Sequence, residues 1–331
     1  MRVFFSGLLV VLLLVAAGLG FAGNTWLNKP VTMISPSLDL SIEPGTPARA
    51  VAQAVVDAGV QVDANWLYWW FRLSGDARQI KAGSYELEQG ATPRSILRKL
   101  VRGEEALRAV TLVEGWNFRQ VRDALAKAEA LKPDSQALSD ADLMAQLGKP
   151  GVPAEGHFFP DTYTYSKGSS DLALLRRALR SMDKRLDAAW ATRSADSVLT
   201  TPEQVLTLAS IVEKETGRPM DRPMIAAVFL NRLRIGMLLQ TDPTVIYGLG
   251  SKFDGNLRKR DLQADTPWNT YTRAGLPPTP IAMPGKASLL SVLQPASSKA
   301  LYFVARGDGT SQFSNTLEEH NRAVNKYQRG Q

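Results

Sequence analysis

The chain has 331 residues, 44% hydrophobic and 21% charged, the balance of a folded protein long enough for two domains with separate cores. It has no cysteine and two histidines, His157 and His320, which excludes disulfides, thiolate nucleophiles and Cys-bound zinc and argues against a multi-histidine metal site. A formal net charge of +7 suits an anionic partner, either a lipid surface or a cell-wall polymer. Nucleic acid fits least, because no Lys/Arg run interleaved with aromatics is present.

Val3 to Ala22 is a nearly continuous apolar run behind Arg2, and no acid appears before Asp39. Its length predicts a single N-terminal transmembrane helix within residues 1–27. Positive-inside reasoning then leaves a short cytoplasmic stub and sends the rest of the chain across. A signal peptide cleaved near Gly20-Phe21-Ala22 is the alternative. Residues 28–37, with Pro30 and Pro36, read as an extended linker.

Three segments then repeat one pattern of short strand, glycine turn, polar cap and amphipathic helix. They lead into helices over 48–58, 94–101 and 118–128. The irregular spacing excludes a solenoid. The aromatic cluster Trp66, Tyr68, Trp69, Trp70 and Phe71 fits a core element, or alternatively a sugar-stacking platform. Beyond residue 111, helices over 118–128, 140–147 and 171–190 alternate with loops, among them Ala154-Glu155-Gly156-His157-Phe158-Phe159-Pro160.

The stretch T-P-E-Q-V-L-T-L-A-S-I-V-E-K-E-T-G, residues 201–217, predicts a helix with both ends specified. Thr201 is its N-cap, Pro202 its first residue, Gln204 a capping-box partner and Gly217 its stop. Val205, Leu208, Ala209 and Val212 share one face. Glu213 and Glu215 flank that apolar stripe. A carboxyl at such an edge loses solvent and can serve as a proton donor. Helical geometry alone does not choose between the two. A second helix follows, starting at Pro223 and stopping at Gly236. Next come L-Q-T-D-P-T-V-I-Y-G, W-N-T-Y and G-L-P-P-T-P-I, proline- and glycine-stiffened loops carrying Asn, Gln, Thr, Tyr and Trp. That inventory suits neutral, hydroxyl-rich ligands such as glycans. No phosphate-cradling loop, dinucleotide fingerprint or G-x-S-x-G elbow occurs.

Together I-V-E-K-E-T, L-Q-T-D-P-T-V-I-Y-G, W-N-T-Y, G-L-P-P-T-P-I and Leu301-Tyr302-Phe303-Val304 resemble the YceG-like family of membrane-anchored endolytic murein transglycosylases. Residues 81–103 resemble the strand–turn–helix half of a LysM module. The resemblance implies an α+β fold, with a LysM-like subdomain over 38–108 and a larger α+β catalytic domain over 109–331. It implies cleavage of MurNAc–GlcNAc bonds in glycan strands, with 1,6-anhydroMurNAc ends and no cofactor or metal. The partners would be peptidoglycan, the inner membrane and peptidoglycan synthases, not nucleic acid, with the catalytic domain on the periplasmic side. The catalytic glutamate of the family matches Glu213. Glu155 and Asp242 are the candidate second carboxylates, Glu155 the better of the two for a substrate contact; with Gln240, Asn269 and Tyr271 they are the expected glycan contacts, each with bracing of its own loop as the alternative. Asp242 precedes a proline and suits a turn cap. Two other readings are a non-catalytic membrane-anchored peptidoglycan-binding scaffold and a pyridoxal-phosphate lyase acting on a small metabolite. The second lacks a phosphate-binding loop.

Overall fold

A computed structural model describes the backbone of residues 2–330 and the side chains of 13–15 and 17–330. The chain divides into two compact units: residues up to Arg108 with Thr164–Gly168, and Ala109–Tyr163 with Ser169 onward.

The first unit contains α1 (Arg2–Asn28), β1 (Thr32–Met33), β2 (Ser37–Ile42), α2 (Ala48–Asp57), β3 (Val60–Gln61), α3 (Ala64–Leu73), β4 (Gly83–Glu88) and α4 (Pro93–Arg102). β2 pairs antiparallel with β4 in the register Leu38↔Leu87 and Leu40↔Tyr85. β2 alternates exposed and buried residues along its length, as a strand with one covered face must. Leu38, Leu40 and Ile42 thereby meet Val51 and Val55 of α2, Leu67 and Phe71 of α3, and Ile96, Leu97 and Leu100 of α4. Thr92 caps α4 in a reciprocal pair with Ser95, and Pro93 opens it. The aromatic cluster divides: Phe71 is core, Tyr68 and Trp70 are half-buried, and Trp66 and Trp69 are exposed.

The expected transmembrane helix is corrected. α1 is continuous, yet among the described residues no helix is long and apolar enough to cross a membrane. Most of the Val3–Ala22 run that suggested one lies outside the residues whose side chains are described.

β5 (Leu107–Thr111) and β6 (Thr162–Ser166) form a two-stranded sheet. The second unit contains α5 (Phe118–Ala126), α6 (Asp140–Gln146), α7 (Asp171–Trp190), α8 (Pro202–Glu215), α9 (Arg222–Arg234), α10 (Asp242–Leu249), α11 (Lys259–Gln263), α12 (Lys286–Leu293), the antiparallel hairpin β7 (Tyr302–Ala305)–β8 (Ser311–Ser314), and α13 (Leu317–Val324). α8 is the axis of this unit. Val205, Leu206, Leu208, Ala209, Ile211 and Val212 are all fully buried against α7, α9 and α12. Burying each of the Val, Leu and Ile side chains among them contributes about 1.5–3 kcal/mol.

Both ends of α8 depart slightly from the sequence reading. Thr201 is the N-cap and accepts from the Gln204 N–H at 3.2 Å. The Gln204 side chain, however, accepts from the backbone N–H and hydroxyl of Thr200, one residue before the cap. The C-terminus stops at Glu215, before Gly217. Thr216 turns extended at φ −146°, and its Oγ1 accepts from the Arg218 N–H at 2.9 Å, which closes a hydroxyl turn without a left-handed glycine.

Candidate active site

The last turn of α8 sends its two carboxylates in different directions. Glu213 points to the start of α12. Its side chain is only 5% exposed, and both oxygens are engaged. Arg222 Nη2 donates to Oε1 at 3.1 Å; Gly285 N–H and Ser288 Oγ–H donate to Oε2 at 2.9 and 2.8 Å. Gly285 is the N-cap of α12, so the carboxylate sits where that helix presents unpaired N–H groups and its positive dipole end. Arg222 is itself buried, at the first residue of α9, and its Nε has no hydrogen-bond partner among the described residues.

The floor of this site is a pair of crossing loops. Gly115 N–H donates to Met283 O at 2.9 Å and Met283 N–H to Trp116 O at 2.7 Å. Lys214 Nζ donates to Gly115 O at 3.3 Å, which ties the loop to the end of α8. Ile281 N–H donates to the buried Ser210 Oγ at 2.9 Å, fixing the G-L-P-P-T-P-I loop to the middle of the same helix. Glu114 is brought in by this pairing. A Cβ added at Gly285 would lie 1.9 Å from Glu114 Oε1. Loss of solvent there raises the Glu114 carboxyl above its ordinary value, the Glu213 charge raises it further, and Arg222 opposes both.

Glu215 points away, into a second polar cluster. It accepts from Thr241 Oγ1, and its carboxyl is raised first by burial, then by the Asp242 charge, with Arg232 opposing. Asp242 is the first residue of α10 and accepts from the Tyr271 hydroxyl at 2.5 Å. Gln240 lies beside them, exposed, with a left-handed backbone at φ 47° that disfavours any residue with a side chain. Tyr271 is thereby brought to Asp242 and Gln240, which share one motif while Tyr271 comes from another; the Gln240 N–H donates to Thr270 O at 3.1 Å. Burial and the Asp242 contact raise the Tyr271 hydroxyl above its usual range.

Glu155 and Asn269 sit inside the fold. Both Glu155 oxygens accept from the Phe118 N–H at 3.1 Å, at the start of α5, and the Tyr247 hydroxyl donates to the same carboxylate. Burial outweighs these donors and pushes the Glu155 carboxyl up to about 7. Asn269 is fully buried. Its amide donates to the carbonyls of Asp261, Leu262 and Ala264 at 3.3, 3.0 and 2.7 Å, and its oxygen accepts from Tyr271 N–H at 2.9 Å. It thereby terminates α11 and aims Tyr271. Among the described residues no three metal-ligating side chains converge.

The order of these motifs around α8 is that of a known group: the sequence profile of the YceG-like family matches residues 40–326. The chain belongs to the YceG-like family. An endolytic murein transglycosylase of Bacillus subtilis (strain 168) is 31% identical over 332 residues, spanning 95% of this chain and 91% of that protein. An endolytic murein transglycosylase of Streptococcus pneumoniae (serotype 2 strain D39) is 26% identical over 361 residues; the alignment spans 98% of this chain but 65% of that longer protein. A crystal structure of a YceG-like protein from Listeria monocytogenes superposes with a TM-score of 0.58 at 30% identity, covering 87% of this chain and 98% of the other. Within this YceG-like chain, sequence reasoning missed Glu114, Arg222 and Ser288. The V-E-G-W turn carrying Glu114 was legible as a strand–glycine turn. Its approach to Glu213 was not, because it depends on a backbone pairing between residues 115 and 283.

Proposed function

We propose that this chain is an endolytic peptidoglycan lytic transglycosylase, a lyase that cleaves MurNAc–GlcNAc bonds with Glu213 as the acid. The observation that carries the reading is the Glu213 carboxylate, nearly sealed from solvent between Arg222 and the first turn of α12, in a chain of the YceG-like family. As the bridging oxygen takes the proton, the sugar gains oxocarbenium character and Glu213 becomes anionic. Three donors already in place receive that anion, so the site favours the state after proton transfer. The sugar's own C6 hydroxyl then closes on C1 and gives a 1,6-anhydro end without consuming water. Holding that hydroxyl next to C1 replaces a positioned water.

The second unit serves as the catalytic domain, and residues 38–108 as a LysM-like glycan-holding subdomain. The compact core around the β2–β4 pair supports treating the latter as a separate module. Gln240, Asp242 and Tyr271 contact glycan hydroxyls and acetamido groups. Glu155 and Asn269 support those contacts from within the fold, because their polar atoms are already occupied by protein. The protein acts outside the cytoplasm, on nascent strands beside the synthases that make them, and sets strand length by cutting within strands. The test is mass spectrometry of purified glycan strands after incubation with the enzyme. Anhydro-ended fragments many disaccharides long support the reading; strands that are bound but never cut refute it.

A further inference from the structure

We propose that Glu114 is a second catalytic carboxylate, the base that takes the proton from the C6 hydroxyl while Glu213 protonates the bridging oxygen. The proposal rests on the lytic transglycosylase reading above and assigns the half of the reaction that Glu213 alone would otherwise perform in sequence.

The geometry comes from Gly285. Its N–H donates to Glu213 Oε2 at 2.9 Å, while the position its Cβ would occupy lies 1.9 Å from Glu114 Oε1 and 2.9 Å from Oε2. With about 2.5 Å between a backbone nitrogen and its own Cβ position, the two carboxylates are no more than about 7 Å apart. Paired acids that act across one glycosidic bond are spaced from about 5 to 9.5 Å. The two are not equivalent. Glu213 is buried, with a donor on each oxygen, whereas Glu114 belongs to an exposed residue and makes no hydrogen bond to protein among the described residues. A sugar hydroxyl can reach Glu114 without displacing anything. A second sign of a missing ligand is the Arg222 guanidinium. It is buried and bonded to Glu213 through Nη2, yet its Nε is left without a partner. A buried unpaired donor beside two carboxylates calls for an acceptor on the substrate.

The proton balance closes. The step needs one proton on the pair, delivered from Glu213. That proton moves to the bridging oxygen as the C1–O bond breaks. The C6 oxygen bonds to C1, and its proton passes to Glu114. The products are the anhydro sugar and a free hydroxyl on the departing strand, and the pair again carries one proton. The exchange is coupled electrostatically: when Glu213 becomes anionic, its neighbour holds a proton more tightly. Return of the proton from Glu114 to Glu213 resets the site.

Gly285 also supplies a test that removes neither acid. Its backbone, at φ −79° and ψ 172°, suits alanine, but the added methyl would occupy the place of the Glu114 carboxylate. The full-length chain is assayed on purified glycan strands by mass spectrometry, with kcat and KM separated. Glu114→Gln and Glu114→Ala are expected to lower kcat by about 10²-fold or more with KM within a few-fold. Added formate, a small free base, should restore part of the activity of Glu114→Ala but not of Glu213→Gln. Gly285→Ala should lower kcat while its melting temperature stays near that of the wild type. A Glu114→Gln enzyme at near wild-type kcat overturns the proposal. So does a loss in Glu114→Ala that formate does not rescue, or an unaffected Gly285→Ala. If instead the wild type makes no anhydro ends, the transglycosylase reading itself fails, and the two failures are distinguishable on the same spectra.

Discussion

Replacing Glu155 with glutamine should remove a specific slope from the pH dependence of stability. Burial holds this carboxyl at about 7 in the fold against an ordinary 4.5, despite the Phe118 N–H and Tyr247 hydroxyl it accepts from. Between those values the folded chain keeps a proton that the unfolded chain gives up. Stability from this group is therefore fully present below about pH 4.5 and is lost as the pH rises through about 7. The difference amounts to roughly 3 kcal/mol at alkaline pH. For a domain of this size that corresponds to a melting shift on the order of 10 °C. Glutamine keeps an acceptor for the Phe118 N–H and cannot ionise. Thermal unfolding of the full chain at pH 5 and pH 8 is the assay. Wild type and Glu155→Gln should melt close together at pH 5, with the variant the more stable at pH 8. Parallel pH profiles would refute the argument and show that water or another group neutralises the buried site.

Two further outcomes follow from the polar cluster around α10. Asn269→Ala should destabilise by about 2–4 kcal/mol, because three carbonyls lose their shared donor inside the fold, and urea unfolding will read it. A change below about 1 kcal/mol would mean that the end of α11 is held by other means. Gln240→Gly should leave stability within about 1 kcal/mol, since relief of the left-handed backbone is offset by the entropy of a freer unfolded chain. If Gln240 contacts glycan, the same change raises KM several-fold at constant kcat. An unchanged KM removes Gln240 from the glycan contacts.

Much of the second unit could be read from local chemistry. Thr201 and Pro202 announced α8, and the apolar face through Val212 announced its burial, because capping and 3.6-residue periodicity are local properties. The divergence of Glu213 and Glu215 also follows from that wheel. What each meets does not. Arg222 approaches Glu213 from the next helix, and Ser288 from a segment 75 residues further on. Glu114 arrives through a loop pairing with no periodic signature. Asn269 looked like a free amide in an aromatic loop, and only the tertiary structure surrounds it with carbonyls. The Val3–Ala22 run shows the opposite failure. Composition alone predicted a membrane span, and among the described residues no helix of sufficient length and apolarity supports it.

Glu213 is the centre of the account, and the most direct measurement compares the wild type with Glu213→Gln on purified glycan strands by mass spectrometry of the products. Glutamine retains the size of the side chain and an acceptor for the Arg222 contact but has no proton to give. Long anhydro-ended fragments are expected from the wild type and a loss of about 10²–10⁴-fold or more from the variant, which stays folded at a lowered melting temperature because its amide nitrogen meets the Arg222 donor or the Gly285 and Ser288 donors. Retention of most of the activity by Glu213→Gln, or an equal loss from Glu215→Gln on the other flank of α8, would contradict it.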